Sequence, residues 1–221
     1  MRYAQPLLSE RQVEILHVDD SPQMTSVTAD CLEQQRERFE VWTANSAADG
    51  LALLEDRRFD CVVSDYELPG RTGVEVLRSV RERNAELPFI LFTGKGSEAV
   101  ASEAISAGVT DYLQKGSGLE QYEVLSNRIE NAVGRDRATH HLELLIDNLP
   151  GIVYQHLDEP SWPLVLIAGD CEELFGYTAR ELQQDVHLAE EAIHSDDLAY
   201  HNQTLQNELE AHGQYELIYR V

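Results

Sequence analysis

Short apolar runs alternate with amphipathic segments through the first part of the chain. Each of five runs is rich in β-branched or aromatic residues and is followed by a segment with apolar residues at helical spacing. The predicted strands cover residues 13–18, 39–43, 61–63, 89–93 and 109–113. The predicted helices cover residues 22–36, 46–57, 72–83 and 98–107, and a fifth begins at Leu119. Strands and helices that alternate in this way predict an α/β domain with a five-stranded, doubly wound parallel sheet.

Residues typical of helix ends support these boundaries. Ser21 is a good N-cap and Pro22 suits the first helical position, so the first helix is expected to begin there. Gly108 is a typical stop after the fourth predicted helix. A turn is expected at residues 68–70, where the sequence reads Leu-Pro-Gly.

Polar side chains stand at the carboxyl ends of four predicted strands. Asp19 and Asp20 follow the first strand, Asp65 follows the third, Thr93 ends the fourth and Lys115 follows the fifth. The carboxyl ends of parallel strands meet at one rim of an open sheet, where ligands bind. A carboxylate cluster needs a cation to neutralise it, and hard oxygen ligands suit Mg²⁺. A carboxylate can also act as a covalent nucleophile toward phosphorus, while a metal, a hydroxyl and a fixed positive charge hold the phosphoryl oxygens.

Each of these residues alone has an ordinary structural explanation. Asp19 and Asp20 can begin a helix, and Asp65 can cap its loop. Thr93 favours a strand, and Lys115 can be a solvated charge. Because all of them meet at one rim, we favour a functional site over these separate explanations.

Residues 11–135 resemble a response-regulator receiver domain of two-component signalling, which has a flavodoxin-like fold. The resemblance rests on Val-Asp-Asp at 18–20, Ser-Asp-Tyr-Glu-Leu-Pro-Gly at 64–70, Phe-Thr-Gly at 92–94 and Tyr-Leu-Gln-Lys at 112–115. It implies that Asp65 accepts a phosphoryl group from a histidine kinase or a phosphotransfer protein. The expected chemistry is acceptance and slow loss of this group, so the chain itself is not expected to be an enzyme.

The resemblance also implies a metal site. Asp20 and Asp65 are expected to bind Mg²⁺, Asp19 to support the same site, and the backbone carbonyl of Glu67 to complete the metal shell. Mg²⁺ is the only cofactor that the resemblance implies.

The remaining roles concern the phosphoryl group and its switch. Thr93 and Lys115 are expected to bind the phosphoryl oxygens. Thr93 and Tyr112 are expected to form the switch pair, with Tyr112 turning inward when Thr93 is drawn to the phosphate. One position departs from the family: Gly116 stands where proline commonly follows the lysine, so the usual loop geometry is not assumed.

Two further residues stand close to the predicted site. Glu67 and Lys95 each lie two positions beyond a key residue, Asp65 and Thr93 respectively. We expect them to pair across the pocket and to restrict attacking water, so that removing either one changes the lifetime of the phosphoryl group.

A helical linker is predicted over residues 119–148, overlapping the last receiver helix. Tyr122, Leu125, Ile129 and Ala132 form one apolar stripe, and Leu142, Leu145 and Leu149 form another beyond the polar stretch 134–141. We favour a signalling helix that forms a homodimer. The alternative is an amphipathic helix that packs on its own sheet and is followed by a hinge.

Residues 142–221 resemble the first part of a PAS sensory domain, an α+β fold with an antiparallel sheet. The resemblance rests on the stretches 147–154, 171–182 and 193–197, with a capping box from Thr178 to Glu181. A helix is expected over residues 197–211 and a strand over residues 215–221. The chain stops where the family adds two more strands, so we expect a piece of a longer protein or an incomplete domain that pairs through its open edge.

Composition restricts the function and the surroundings. Forty acidic residues against 17 basic ones give a net charge of −23, which opposes direct contact with nucleic acid or anionic lipid. We favour a protein of the haloarchaeal type, whose acidic composition is adapted to a cytoplasm of high salt concentration, over an ordinary acidic protein. No apolar run is long enough for a membrane span, no signal pattern is present, and the three cysteines are scattered.

Together these patterns predict a cytoplasmic protein for phosphorylation-dependent signal transduction, in which a receiver acts through a helix on a PAS module. The main alternative is the N-terminal receiver–PAS portion of a longer sensor histidine kinase. A phosphatase or hydrolase that uses the same acidic pocket is a weaker alternative, because Glu67 is the only further carboxylate close to Asp65.

Overall fold

The computed structural model describes residues 11–94, 96–148, 151–156, 164–185, 187–200 and 203–204 of the chain. The chain divides into two compact units, residues 1–139 and residues 140–221. The first unit alternates strands and helices in the order β1 Val13–Val18, α1 Pro22–Gln35, β2 Phe39–Ala44, α2 Ala47–Asp56, β3 Cys61–Ser64, β4 Glu67–Leu68, β5 Arg71–Thr72, α3 Gly73–Arg83, β6 Phe89–Thr93, α4 Glu98–Ser106, β7 Asp111–Gln114 and α5 Glu120–Asp147, of which the last residues, from His140, belong to the second unit.

Five of these strands form a parallel sheet in the order β2-β1-β3-β6-β7. The central register pairs Ile15 with Cys61 and Val62 with Phe89, and the register at the far edge pairs Thr93 with Gln114. The predicted flavodoxin-like fold is therefore confirmed. Its consequence for the site is that the carboxyl ends of all five strands lie at one rim.

The two faces of the sheet carry separate apolar cores. One face packs against α2, α3 and α4 through residues such as Val62, Leu77 and Leu91. The other face packs against α1 and α5 through residues such as Leu32 and Leu125. All residues of β3 and β6 are buried, because both of their faces are covered, and this accounts for their continuous apolar sequences.

Side-chain caps begin the helices where the sequence predicts them. The Ser21 hydroxyl accepts a hydrogen bond from the backbone N–H of Met24, and Pro22 occupies the first turn of α1, which confirms the predicted start. The strand predicted at residues 109–113 is β7, and it begins two residues later than predicted, at Asp111. The Val109 N–H still bonds to the carbonyl of Ala104 in α4, so this residue completes the end of the helix before the strand can start.

A small hairpin between β3 and α3 was not predicted. Glu67 pairs with Thr72 and Leu68 with Arg71, around a turn in which Gly70 has a φ of 78°. The predicted turn is present, and the flanking residues form a two-stranded ribbon beside Asp65.

Helix α5 is continuous from Glu120 to Asp147 and so extends past residue 139, the last residue of the first unit. Its 28 residues run through the polar stretch 134–141, which lies between the two predicted apolar stripes. Tyr122, Leu125 and Ile129 are buried in the core shared with α1, so the first apolar stripe packs on its own sheet. Leu142 and Leu145 of the second stripe are 60% and 52% exposed, while Leu149 lies outside the described residues.

The second unit contains β8 Ile152–His156, β9 Leu164–Gly169, α6 Cys171–Phe175, α7 Ala179–Gln184 and α8 His187–Ala192. β8 and β9 are antiparallel and share a small core with the helices, formed by Ile167, Cys171 and Leu182. These elements fit the predicted partial PAS fold. The Thr178–Glu181 capping box is present, as predicted.

Two predictions for this unit fall largely outside the described residues. The predicted helix 197–211 is described only at 197–200 and 203–204, which are helical, and the predicted strand 215–221 is not described. None of the helices that the structure describes combines the length and the apolar composition of a membrane span.

Candidate functional site

Asp65 is fixed at the end of β3 by its backbone. Its N–H donates to the Val18 carbonyl at 2.8 Å, which continues the parallel pairing with β1. Its Oδ1 accepts hydrogen bonds from the N–H groups of Tyr66 at 2.6 Å and Glu67 at 3.4 Å. Gly73 passes so close that a Cβ there would overlap the Asp65 carbonyl. One carboxylate oxygen is therefore held by the loop, and the other faces the rim.

Lys115 joins the ends of three strands. Its Nζ lies 2.6 Å from Oδ2 of Asp65 and 2.6 Å from Oδ2 of Asp19, while its backbone N–H donates to the Thr93 carbonyl at 2.8 Å. Burial works against its charged form, but the hydrogen bonds to Asp19 and Asp65 outweigh burial and raise the pKa of Lys115. The single positive charge of the ammonium group thus offsets part of the negative charge of two carboxylates and reduces their mutual repulsion.

Asp19 and Asp20 occupy different environments. Asp19 is buried, and its Oδ1 accepts a hydrogen bond from the N–H of Ser21 at 2.9 Å. Asn45 donates its side-chain amide to the Asp19 carbonyl at 3.0 Å, which holds the turn after β1. Asp20 is exposed at the rim. The structure brings Asp19, Asp65 and Lys115 into direct contact and leaves Asp20 open to solvent.

The donor set fits a hard divalent cation. Among the described residues, no group of three or more His, Cys, Asp or Glu side chains is arranged as metal ligands. Mg²⁺ does not require such a cage, because it usually keeps several waters and binds through one or two carboxylates. The oxygens of Asp65 and Asp19, with the exposed Asp20 beside them, provide that chemistry.

Thr93 and Tyr112 lie on neighbouring strands. Thr93 is fully buried at the end of β6. The Tyr112 ring packs against the core beneath α2, α3 and α4, and its hydroxyl is buried without a hydrogen-bond partner among the described residues. The structure therefore holds Tyr112 in an inward position, which the predicted switch assigns to the phosphorylated state.

His17 is a polar residue of the site region that sequence reasoning did not single out. It lies in β1 two residues before Asp19 and is fully buried. Burial lowers its pKa to about 4, outweighing the opposing effect of the Asp19 carboxylate, so the imidazole is neutral at pH 7. Neither ring nitrogen makes a hydrogen bond of normal geometry to the described residues. The sequence signal that could have identified His17 is its position within a predicted strand that is otherwise mostly apolar.

The predicted pair of Glu67 and Lys95 is not tested, because Lys95 lies outside the described residues. Glu67 itself is exposed in β4, next to the candidate site.

Comparisons with known proteins agree with this geometry. Residues 15–125 match the response regulator receiver domain family, and residues 164–221 match a PAS fold family. The chain is 33% identical over 112 residues to the probable transcriptional regulatory protein TcrX of Mycobacterium tuberculosis, which covers 49% of this chain and 46% of that protein. It is 33% identical over 104 residues to the transcriptional regulatory protein ResD of Bacillus subtilis, covering 47% and 42% respectively. The chain thus spans about half the length of these relatives, or less.

Solved structures show the same fold. A response regulator receiver domain protein from Clostridium thermocellum is 28% identical, with a TM-score of 0.52, and covers 57% of this chain and 98% of its own. A CheY-like receiver domain protein from Methanospirillum hungatei is 26% identical, with a TM-score of 0.53, and covers 58% and 98% respectively.

Proposed function

The chain belongs to the response regulator receiver domain family, and from this premise we propose that Asp65 accepts a phosphoryl group from a histidine kinase or phosphotransfer protein. The observation that carries the proposal is the position of Lys115, whose Nζ contacts the Asp65 and Asp19 carboxylates at 2.6 Å each. A nucleophilic carboxylate, a fixed cation and a second carboxylate thus meet at one rim.

The Asp65 environment prepares one of its oxygens for attack. Oδ1 is held by the N–H groups of Tyr66 and Glu67, so Oδ2 is the oxygen that faces the incoming phosphorus. In the proposed transfer, Oδ2 forms a bond to phosphorus while the bond from phosphorus to the donor imidazole nitrogen breaks. The imidazole nitrogen keeps the electron pair of that bond. The Lys115 ammonium and the Thr93 hydroxyl then bind the phosphoryl oxygens.

Receiver domains of this family typically bind Mg²⁺ at the acidic site. We propose that the carboxylates of Asp19, Asp20 and Asp65 and the backbone carbonyl of Glu67 provide its site here. When bound, Mg²⁺ neutralises negative charge on the transferring group. Among the residues that the structure describes, Lys115 is the positively charged side chain in direct contact with both Asp19 and Asp65.

The proposed switch joins Thr93 to Tyr112. When the Thr93 hydroxyl is drawn to a phosphoryl oxygen, the Tyr112 side chain takes up the inward position. The buried Tyr112 hydroxyl supports this proposal, because it shows that the side chain has an inward position on the strand next to the one that ends in Thr93.

The test of the acceptor is intact mass after incubation with Mg²⁺ and acetyl phosphate, for the wild-type chain and for Asp65→Ala. We expect one added phosphoryl group in the wild-type chain and none in the variant. Glu86→Ala, a substitution at an exposed residue in the loop before β6, is the matched control and should still be phosphorylated. An adduct that persists in Asp65→Ala would overturn the assignment of the nucleophile.

We further propose that residues 11–135 act as the receiver, residues 119–148 as a helical linker and residues 142–221 as a PAS module in a cytoplasmic, salt-adapted signalling protein. The continuous helix α5 supports a relay between the two units. The exposed Leu142 and Leu145 support a homodimer. Sedimentation equilibrium at high salt tests this, because Leu142→Glu with Leu145→Glu should convert a dimer to a monomer. An unchanged mass would contradict dimerisation through this helix.

A further inference from the structure

Asn45 contacts the chain on both sides of the turn between β1 and α1 with a single side-chain amide. This residue follows β2 and is exposed. Its Nδ2 donates to the carbonyl of Asp19 at 3.0 Å and to Oγ1 of Thr25 at 3.3 Å. Asp19 lies directly after β1, whereas Thr25 is a buried residue of α1. One amide group of the β2–α2 loop therefore holds both ends of the turn that contains Asp20.

The end of β2 holds Asp19 through both of its backbone polar groups. The N–H of Asp19 donates to the carbonyl of Ala44 at 3.1 Å, which continues the parallel pairing of β1 with β2. The carbonyl of Asp19 accepts the hydrogen bond from Asn45, the residue that follows Ala44. Because a peptide group is planar, the bond to this carbonyl also fixes the direction of the Asp20 N–H and the place of the Asp20 Cα. The exposed side chain of Asp20 thus starts from a fixed backbone.

The bond to Thr25 connects the same amide to the start of α1. The Thr25 hydroxyl donates to the Pro22 carbonyl at 3.0 Å while it accepts from Asn45, and only 3% of Thr25 is exposed. Within the turn, Oδ1 of Asp19 accepts a hydrogen bond from the N–H of Ser21 at 2.9 Å. The Asn45 amide therefore completes a set of hydrogen bonds that fixes the end of β1 relative to the first turn of α1.

The fixed turn matters for a cation because Mg²⁺ demands near-ideal octahedral geometry. The proposed Mg²⁺ site uses the carboxylates of Asp19, Asp20 and Asp65. A ligand on a fixed backbone keeps its carboxylate close to the required position before the cation arrives. Groups that orient metal ligands in this way typically contribute 10–100-fold to metal affinity.

We propose that Asn45 is a positioning residue of the acidic site, whose amide holds the peptide that joins Asp19 to Asp20 and so places the Asp20 carboxylate for a divalent cation. This inference rests on the proposed Mg²⁺ site and adds to it a residue from the β2–α2 loop. Asn45 acts through the backbone of Asp19 and not as a ligand, since the nitrogen that makes both contacts is a donor and cannot bind a cation.

Equilibrium binding of Mg²⁺, measured by isothermal titration calorimetry without a phosphoryl donor, tests this role. Asn45→Ala should weaken binding by about tenfold, the low end of the effect of removing a group that orients a metal ligand. Asp20→Ala, which removes the proposed ligand itself, should weaken binding at least as much. Ser46→Ala is the matched control, because the Ser46 hydroxyl lies in the same loop but caps α2, accepting from the N–H of Asp49 at 3.1 Å. It should lower the midpoint of urea unfolding and leave Mg²⁺ binding unchanged.

Two further measurements separate positioning from a general loss of structure. Hydrogen exchange of the peptide that spans residues 17–25 should be faster in Asn45→Ala than in the wild-type chain even without metal, and unchanged in Ser46→Ala. In phosphorylation by acetyl phosphate, the Mg²⁺ concentration that gives half the maximal rate should rise about tenfold in Asn45→Ala. A general loss of structure would instead lower the maximal rate and leave that concentration unchanged.

The outcomes distinguish this inference from the proposed function. If Asn45→Ala binds Mg²⁺ as the wild-type chain does, or if Ser46→Ala weakens binding equally, the positioning role is overturned while the proposed Mg²⁺ site and the acceptor Asp65 stand. If the wild-type chain does not bind Mg²⁺, the proposed metal site is wrong, and the role of Asn45 toward it is wrong as well. Weaker binding in Asn45→Ala and Asp20→Ala but not in Ser46→Ala, with faster exchange of the turn in Asn45→Ala, would establish Asn45 as a positioning residue.

Discussion

Arg137 and Asp60 connect the middle of α5 to the start of β3. Nη2 of Arg137 lies 2.9 Å from Oδ1 of Asp60, and the same nitrogen donates to the Gln12 carbonyl at 2.7 Å. The second oxygen of Asp60 accepts a hydrogen bond from the N–H of Glu14 at 2.9 Å. Only 15% of the Arg137 side chain is exposed. The helix therefore belongs structurally to the first unit at least as far as Arg137, well beyond the end of the family match at residue 125.

The Arg137 contact should contribute measurably to stability. Arg137→Ala leaves the Asp60 carboxylate and the Gln12 carbonyl without a charged donor, and we expect a loss of about 1–3 kcal/mol. Urea unfolding of the full chain, followed by circular dichroism, measures this loss. Arg135→Ala is the matched control, because Arg135 is exposed on the same helix and donates a hydrogen bond to the carbonyl of Asn131 in its own helix at 3.2 Å. Equal losses in both variants would show that the cross-chain contact has no special role.

Gly73 should tolerate no side chain. In Gly73→Ala the new Cβ would overlap the Asp65 carbonyl and lie 2.9 Å from Cδ1 of Leu91, so the loop that holds Asp65 must shift. We expect a loss of about 1–3 kcal/mol and slower phosphorylation by acetyl phosphate. Gly134→Ala is the opposite case, because this exposed position in α5 is open and helical, and alanine should stabilise it by about 0.5–1 kcal/mol. Unchanged stability and phosphorylation in Gly73→Ala would contradict the described loop.

Glu130 should give the first unit a stability that depends on pH. Burial opposes its ionisation, but hydrogen bonds from Arg38 at 2.7 Å and from Arg36 at 3.0 Å outweigh burial and lower its pKa. Because the folded pKa is lowered, the stabilisation is present above the unfolded value of about 4.3 and is lost as the pH falls through the folded value.

Glu130→Gln is therefore expected to destabilise the chain by about 1 kcal/mol at pH 7, and this difference should shrink toward pH 4 and below. Urea midpoints at several pH values measure it. Glu123→Gln is the control, since Glu123 is exposed on the same helix and makes no ion pair within the described part of the chain. A pH-independent difference for Glu130→Gln would contradict the assigned cause.

A divalent cation should restore part of the stability that is lost when the positive charge of Lys115 is removed. Lys115→Met leaves the carboxylates of Asp19 and Asp65 unneutralised, with only 2% of the Asp19 side chain exposed. We expect a loss of stability of about 2–4 kcal/mol without metal. Millimolar Mg²⁺ should restore part of this loss, because the two carboxylates then bind the metal more tightly than in the wild-type chain.

Thermal unfolding with and without Mg²⁺ measures this effect, and Ca²⁺ and Na⁺ at equal ionic strength separate binding from screening. The double variant Lys115→Met with Asp65→Ala should respond less to Mg²⁺. A stabilisation that Na⁺ reproduces would show that the acidic rim does not bind the cation specifically.

Local patterns predicted the sheet and the rim, because apolar periodicity and capping residues act over a few neighbouring positions. Ser21 and the Thr178–Glu181 pair show this, since each cap lies within three residues of its partner. The acidic rim could also be predicted, because a parallel sheet brings Asp19, Asp65 and Lys115 to one edge whatever the details of packing. The individual roles of these residues in phosphoryl transfer remain predictions.

Features that depend on long-range packing were not predictable. The stripe at Tyr122, Leu125 and Ile129 has the same spacing whether it faces its own sheet or a second helix, and only the structure shows that it is buried. The β4–β5 hairpin is too short to produce a periodic pattern. Arg137 and Asp60 are 77 positions apart, so nothing in either local sequence indicates their contact.

Asp60 and Asp65 are separated by a single strand, β3, whose four residues are all buried. At about 3.3 Å per residue, the strand sets their Cα atoms roughly 17 Å apart. A deletion or insertion of one residue would turn every following side chain to the opposite face of the sheet. Either the contact between Asp60 and Arg137 or the contact between Asp65 and Lys115 would then be lost. The fixed length of β3 therefore determines two positions at once: that of Asp60, which binds Arg137 of α5, and that of Asp65 at the acidic rim.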